Sequence, residues 1–392
     1  VKAFILAGLL MIAGCNGGGL TPNQKLEATK QWNDARASVL ASLANDQYNS
    51  GNFDKCQETL DQALRLEPDN VSLHLLAARL AVEQGKLEVA RAHLAVAGRL
   101  DPKNADVDYL TGVVMQRWRQ PRQACDAYAM AVAKNPTELS YLLAESEMLV
   151  ELRKPADALA LLQSKSAFFE HSGVLRDEMG QILVQLKQLD QAIPILREAS
   201  ILASDDSTIR EHLAFALHGG QHFAEAAEVF ARLAKDPAYE KRADVLAALG
   251  DCQFQINQLH EAIASYRSAT QLQPNCAGYW MALARAQVQL DDLPAAEIDI
   301  RRVMSIEPGC ADAKCLLGYV RLKENNLPAS LAAFREASDL DPTDSVSMCL
   351  QGYVLQRMGR NSDARPCYGR ALQINPKDDL ANRLMATLDS HD

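Results

Sequence analysis

Proline spacing constrains this chain more than any other feature. Pro68, Pro102 and Pro136 form one run and Pro274, Pro308, Pro342 and Pro376 another, each proline 34 residues from the next in its run. Pro136 and Pro274 are separated by four such periods plus two residues, and the extra pair falls near Pro237. A fixed period of this length marks a supersecondary unit that cannot bury its apolar faces alone and must stack on its neighbours. With the proline at position 32, ten repeats start at Ala37, Val71, Ala105, Leu139, Gly173, Ser207, Ala243, Ala277, Ala311 and Ser345.

Three other positions keep the same register. Position 8 is always small (Ala44, Gly112, Gly250), position 20 is always small (Cys56, Ala124, Ala262), and position 24 is always large and apolar (Leu60, Tyr128, Tyr266). Two antiparallel helices approach closely where both carry small side chains, and a large residue one turn on fills the remaining space. Position 15 falls between the helices. Gly51, Gly85, Asn257, Asn325 and Gly359 occupy it in five repeats, and all tolerate the left-handed conformation that ends a helix. Pro121, Pro155, Pro294 and Pro328 fall at or near the start of second helices, where a missing N–H is harmless.

These units resemble the tetratricopeptide repeat family. The nearest matches are Leu246-x-x-Leu249-Gly250 with Ala262, Tyr266, Ala269 and Pro274, and Trp280-x-x-Leu283-Ala284 with Ala296 and Pro308. The fourth repeat departs, with Glu145, Lys165 and Glu170 in place of Leu, Ala and Pro, and the fifth ends at Ser204 without proline. The resemblance implies an all-α, right-handed superhelical solenoid of about ten helix-turn-helix repeats over residues 37–378. A leading helix over 23–36 and a closing amphipathic helix over 379–392 are expected to cap the ends.

Ahead of the repeats, Lys2 and the apolar stretch Ala3 to Ile12 read as a secretory signal over 1–14. Ile12-Ala13-Gly14-Cys15 resembles the lipobox of bacterial lipoproteins, with Ile where Leu is preferred. That resemblance implies cleavage before Cys15, lipidation of its thiol, and membrane attachment through a flexible tether over 15–22 containing Gly17, Gly18 and Gly19. Asn16, rather than Asp, follows the cysteine, which by the same resemblance places the anchor in the outer membrane of a bacterial envelope, facing the periplasm. The alternative is a plain secretory signal.

The formal net charge of −10 argues against nucleic acid, whose binding needs a basic face that displaces counterions. No catalytic constellation, cofactor loop or metal set emerges. His218 and His222 are four apart, but Gly219 and Gly220 lie between them at an expected turn, so a polar turn is favoured over a metal site. The pairs Asp205-Asp206, Asp291-Asp292 and Asp378-Asp379 sit between helices, where capping explains them. Cys349 and Cys367 lie on the two helices of one repeat and are close enough in register to meet as a disulfide, with free thiols the alternative.

In the resembled family, first helices line a concave groove through positions 2, 5, 9, 12 and 13. At positions 9 and 13 of the last three repeats stand Arg285, Tyr319, Lys323, Tyr353 and Arg357, an aromatic-basic strip in an acidic chain. It suits a protein partner, or an acidic glycan, through carboxylates; the alternative is that the tyrosines only stack on their neighbours. The resulting expectation is a lipid-anchored, non-enzymatic protein-interaction scaffold that assists assembly of a pilus, secretion or export complex. A carbohydrate-handling solenoid for exopolysaccharide or peptidoglycan, and the helical arm of an enzyme complex, are the competing readings.

Overall fold

In the computed structural model, which describes residues 21–389, the chain is built of 21 α-helices, with no strand among the described residues. It divides into two compact bodies that part after Glu170. The first holds α1 (Pro22–Asn49), α2 (Phe53–Leu66), α3 (Val71–Glu83), α4 (Leu87–Leu100), α5 (Ala105–Arg117), α6 (Pro121–Lys134), α7 (Leu139–Glu151) and α8 (Pro155–Lys165). The second begins with α9 (Gly173–Gln185), α10 (Leu189–Leu202), α11 (Ser207–Gly219), α12 (Phe223–Leu233), α13 (Ala243–Gln255) and α14 (Leu259–Leu272). It continues through α15 (Ala277–Gln289), α16 (Leu293–Ile306), α17 (Ala311–Lys323), α18 (Leu327–Leu340), α19 (Ser345–Arg357), α20 (Asn361–Ile374) and α21 (Asp379–Asp389). Every first helix from α3 to α19 starts at position 1 of its repeat, so the register read from the prolines is the register of the fold. Within each body the helix pairs stack as a tetratricopeptide-type solenoid.

The leading segment is helical, and α1 runs without a break from Pro22 into the first repeat. The cause is local: Thr21 and Gln24 form a reciprocal capping box around Pro22 at the first helical position. At the other end Asp378 caps α21 by accepting from the amides of Leu380 and Ala381. Asp206 and Asp292 cap α11 and α16 in the same way.

Position 15 is left-handed in all ten repeats. Besides the Gly and Asn residues, Arg119, Arg153, Lys187, Gln221 and Asp291 take φ between 58° and 68°. In the sixth repeat the left-handed residue is thus Gln221, and the neighbouring Gly219 and Gly220 complete the last turn and cap of α11. A left-handed L-residue costs roughly 1–2 kcal/mol. What holds it is a hydrogen bond from the position-16 amide back to the position-11 carbonyl, as in Gln120 to Met115 at 3.0 Å and Asp292 to Gln287 at 2.9 Å. The same bond closes the turn in every repeat, so the helix carbonyls are satisfied whatever the side chain.

Position 8 meets position 24 more directly than the spacing suggested. A Cβ added to Gly250 would lie 2.7 Å from the Tyr266 ring, and one on Gly352 would lie 2.7 Å from Tyr368. Gly112 faces Tyr128 and Gly318 faces Phe334 in the same way. Opposite Leu60 and Leu94 position 8 carries the methyl of Ala44 or Ala78, whereas Leu196 faces Gly180. The buried tyrosines also find acceptors: Tyr266 Oη donates to Asp251 at 2.7 Å and Tyr368 Oη to Gln356 at 2.8 Å. The contact between positions 8 and 20 is present as well, with Ser330 Oγ donating to the Gly318 carbonyl at 2.8 Å.

The two mid-chain irregularities have one form. Helices α8 and α12 stop after 11 residues and pass into 3-10 turns, Ser166–Phe169 and Pro237–Tyr239. The second turn absorbs the two extra residues. Tyr239 is buried there and donates to Glu211 at 2.8 Å, and Arg242 bridges Glu211 and Asp244.

The packing rule predicts compensation. Gly250→Ala should destabilise the second body by about 1–3 kcal/mol through overpacking against Tyr266. Adding Tyr266→Leu should recover most of that loss, because Leu opposite Ala is the pairing used elsewhere in the chain. A double-mutant cycle by thermal or denaturant melting checks the coupling.

Candidate functional site

The expected strip lies on α15, α17 and α19, and its basic members are engaged by adjacent repeats. Arg285 contacts Asp312 at 3.2 Å. Lys323 Nζ donates to Asp291 at 2.7 Å, and Arg357 to the Asn325 side chain at 2.9 Å. Gln289 makes the equivalent bond to Asn257 at 3.4 Å. Position 13 thus reaches back to position 15 of the preceding repeat three times in succession. The Asp291 contact holds the exposed Lys323 ammonium above its ordinary pKa. Tyr319 is exposed, and Tyr353 is half-buried against the core of the last two repeats. These contacts are solvent-exposed and individually weak, so a ligand carboxylate competes with them on nearly equal terms.

A second ladder was missed from sequence. Arg79 faces Asp106 at 3.7 Å in the first body, and Arg285 faces Asp312 in the second. Both join position 9 of one repeat to position 2 of the next. The signal was present as Arg followed 27 residues later by Asp, twice. Asp106 also accepts from Tyr141 Oη at 2.7 Å, and burial, followed by that bond, raises the tyrosine pKa.

First-helix residues also line clefts. In the first body a cleft of about 290 Å³ is lined by Ala41, Asn45, Ser72, Leu75, Arg79 and Asp106, which occupy positions 2, 5 and 9. In the second, a cleft of about 420 Å³ is lined by His218, Phe223, Asp251, Phe254 and Tyr266. His218 packs edge-on against Phe223 and stands 4.0 Å from Asp251, whereas His222 occupies the turn ahead of α12. No group of three or more metal-ligating side chains occurs among the described residues. Cys349 and Cys367 are free thiols, and burial pushes Cys349 up to about 12. Cys15 lies outside the described residues. Among them, no helix is long and apolar enough to cross a membrane.

Two histidine arrangements, also unforeseen, sit between helices. His74 Nδ1 and His93 Nδ1 are 3.0 Å apart, and His74 Nε2 is 2.8 Å from the Pro68 carbonyl. A carbonyl only accepts, so His74 donates through Nε2 and its Nδ1 accepts from His93. Burial and then His74 hold His93 below the ordinary imidazole range, against a smaller upward pull from Asp61. In the second body His212 Nδ1 donates to the buried Asp177 carboxylate at 2.9 Å, and Gln181 donates to the same group at 2.7 Å. The Asp177 bond raises His212, with Glu211 and Asp206 adding to it and burial opposing.

Comparison with known proteins agrees with this geometry at the level of the repeat. Family profiles described as tetratricopeptide repeat match residues 42–105 and 247–305, and another of the same description matches 346–378. A crystal structure of MamA is similar at 20% identity, covering 44% of this chain and 92% of its own, with a TM-score of 0.40. A MamA structure from Desulfovibrio magneticus RS-1, residue 41 to the end, is similar at 16% identity, covering 44% and 97%, with a TM-score of 0.41. No curated protein matches the sequence.

The histidines predict opposite pH responses in the two bodies. His93 is depressed on folding, so its contribution is present above the ordinary imidazole value of about 6.5 and is lost as pH falls toward its lower folded value. His212 is raised, so its contribution is full below about 6.5 and is lost as pH rises through its folded value. Going from about pH 7.5 to about pH 5.5 should speed amide exchange in α3 and α4 and slow it in α9 and α11, after correction for intrinsic rates. His93→Asn and His212→Asn should each remove the response of their own body.

Proposed function

We propose that the chain is a non-catalytic scaffold that holds segments of partner proteins along the first helices of its repeats. One observation carries this reading. The polar groups on those helices at positions 2, 9 and 13 form exposed links from one repeat to the next, and Arg79 and Asp106 among them line a cleft. Such a surface supplies many weak, exchangeable hydrogen bonds in line, which suits an extended peptide more than a reacting small molecule. Tyr319 and Tyr353 add contact area at fixed geometry, and Arg285, Lys323 and Arg357 favour a carboxylate-bearing segment.

The stretch Ile12-Ala13-Gly14-Cys15 supports lipid attachment at Cys15, and Asn16 supports the outer membrane, facing the periplasm. In that setting the scaffold assists assembly of an envelope complex of the pilus, secretion or export kind.

Two measurements test the two halves of this reading. In cells fed a radiolabelled fatty acid, the wild-type chain should take up label and Cys15→Ser should not; equal labelling removes the anchor. Once a partner is identified by crosslinking, Tyr319→Ala with Tyr353→Ala should weaken it at least tenfold, about 1.4 kcal/mol, with the helical signal unchanged. Arg285→Glu with Arg357→Glu should act mainly on the association rate, and less at high salt. Binding that survives all four changes removes the strip.

A further inference from the structure

Among the described residues, the first repeat exposes a face that the register shows to be buried in the others. Position 3 is buried in eight of the other nine repeats, Tyr279 being half-buried: Leu73 is 1% exposed, Val107 8% and Val245 0%. In the first repeat the same position is Val39, and it is 68% exposed. Position 7 behaves alike, with Leu213 and Leu283 buried and Leu43 45% exposed. What covers position 3 elsewhere is the second helix of the preceding repeat, through its position 27. Leu73 shares a core with Ala63, Val107 with Ala97, and Ala313 with Val303. At Gly98, next to Ala97, an added Cβ would stand 3.3 Å from Val107.

Helix α1 extends this open surface beyond the repeat. Trp32 precedes Val39 by seven residues and is 64% exposed, so Trp32, Val39 and Leu43 fall on one helical face about 16 Å long at 1.5 Å per residue. Lys25 and Arg36, both exposed, fall on the same face. The other end of the repeat array is closed, because α21 buries Ala381 and Leu388 on the last repeat.

We infer that the Trp32–Val39–Leu43 face of α1 receives an amphipathic helix of another protein, seated where a preceding repeat's second helix would lie. The eight helices that cover the equivalent face of a following first helix within the two bodies define what fits. The incoming helix presents Ala, as six of those eight helices do, at its point of closest approach to Val39 and apolar residues one turn to either side. It carries acidic residues where it passes Lys25 and Arg36. Three apolar side chains along one helix are far short of the roughly 800 Å² per partner that a stable dimer of this chain would bury, so the occupant is an inserted helix and not a second copy. This site is independent of the groove strip and stands or falls apart from it.

The probe is a stapled, fluorescently labelled peptide with the sequence of α18, Leu327–Leu340. It carries Ala337 at position 27 beside Glu336 and Asp339. Anisotropy titration against the purified chain should show saturable binding. Val39→Glu with Leu43→Glu should weaken it at least tenfold, and Arg36→Glu should weaken it further at low salt. Ala337→Phe in the peptide should abolish binding. The double glutamate variant should melt as the wild type does, because both sites are exposed, whereas Val107→Glu should lower the melting temperature of the first body. The inference is overturned if the peptide fails to saturate, or if it binds the double glutamate variant equally well. It is also overturned if sedimentation shows that the wild type is a dimer which those two changes convert to monomer, since the occupant would then be a second copy.

Discussion

The close approach of two helices at position 8 is the contact on which each repeat depends. In repeats with an aromatic at position 24 the ring lies where a methyl would otherwise be, as at Gly250 under Tyr266 and Gly318 under Phe334. Packing at crystal-like density leaves no slack there: glycine faces the ring at Tyr128, Tyr266, Phe334 and Tyr368, and a methyl faces Leu60 and Leu94. The fifth repeat departs from this, with Gly180 against Leu196, and so does the sixth, with Ala214 opposite Phe230, whose ring turns edge-on to Phe215 at 78°. Once this contact sets the separation within a hairpin, the first helices stand near enough to their neighbours for side chains at positions 2, 9, 13 and 15 to link one repeat to the next. The binding surface therefore follows from the interior.

Much of this fold was legible because its determinants are periodic. Prolines at position 32 and small residues at positions 8 and 20 placed the start of every first helix from α3 onward. The turns were half legible. Gly51 and Asn257 announce a left-handed residue, whereas Arg119 and Lys187 give no such signal, because there the position-16 to position-11 hydrogen bond overrides side-chain preference. The shortening of α12 showed only as lost register near Pro237, and that of α8 only as Lys165 and Glu170 in place of Ala and Pro. A 3-10 turn leaves no periodic trace of its own.

The surface was less legible than the core, for a physical reason. Burial selects residue type at one position at a time, while an exposed polar group is defined by its partner. Arg285 and Lys323 read as a basic patch when taken alone. With Asp312 and Asp291 beside them they are half of a ladder, and the net field over the strip is much weaker than the count of cations suggests. The His74–His93 pair is the same lesson in the interior. Each histidine alone looks like a polar residue on an apolar helix. Only the 3.0 Å contact, with the Pro68 carbonyl behind it, shows that their tautomers are set.

A stack of this kind also separates specificity from stability. Position 3 on Val39 and position 3 on Val107 are chemically the same residue, yet one is exposed and the other buried. The difference is whether a second helix precedes them. Every repeat thus carries a latent helix-binding face, which its neighbour normally occupies, and in the stretch described only the first repeat has none ahead of it. The last repeat is covered by α21 through Ala381 and Leu388, whereas among the described residues nothing covers the apolar stripe on α1. Burying such a stripe of about three side chains is worth several kcal/mol at roughly 1.5–3 kcal/mol each. That is comparable to what a modest peptide affinity requires after the losses of association are met, so the end face has the energetic scale of a recognition site as well as the shape of one.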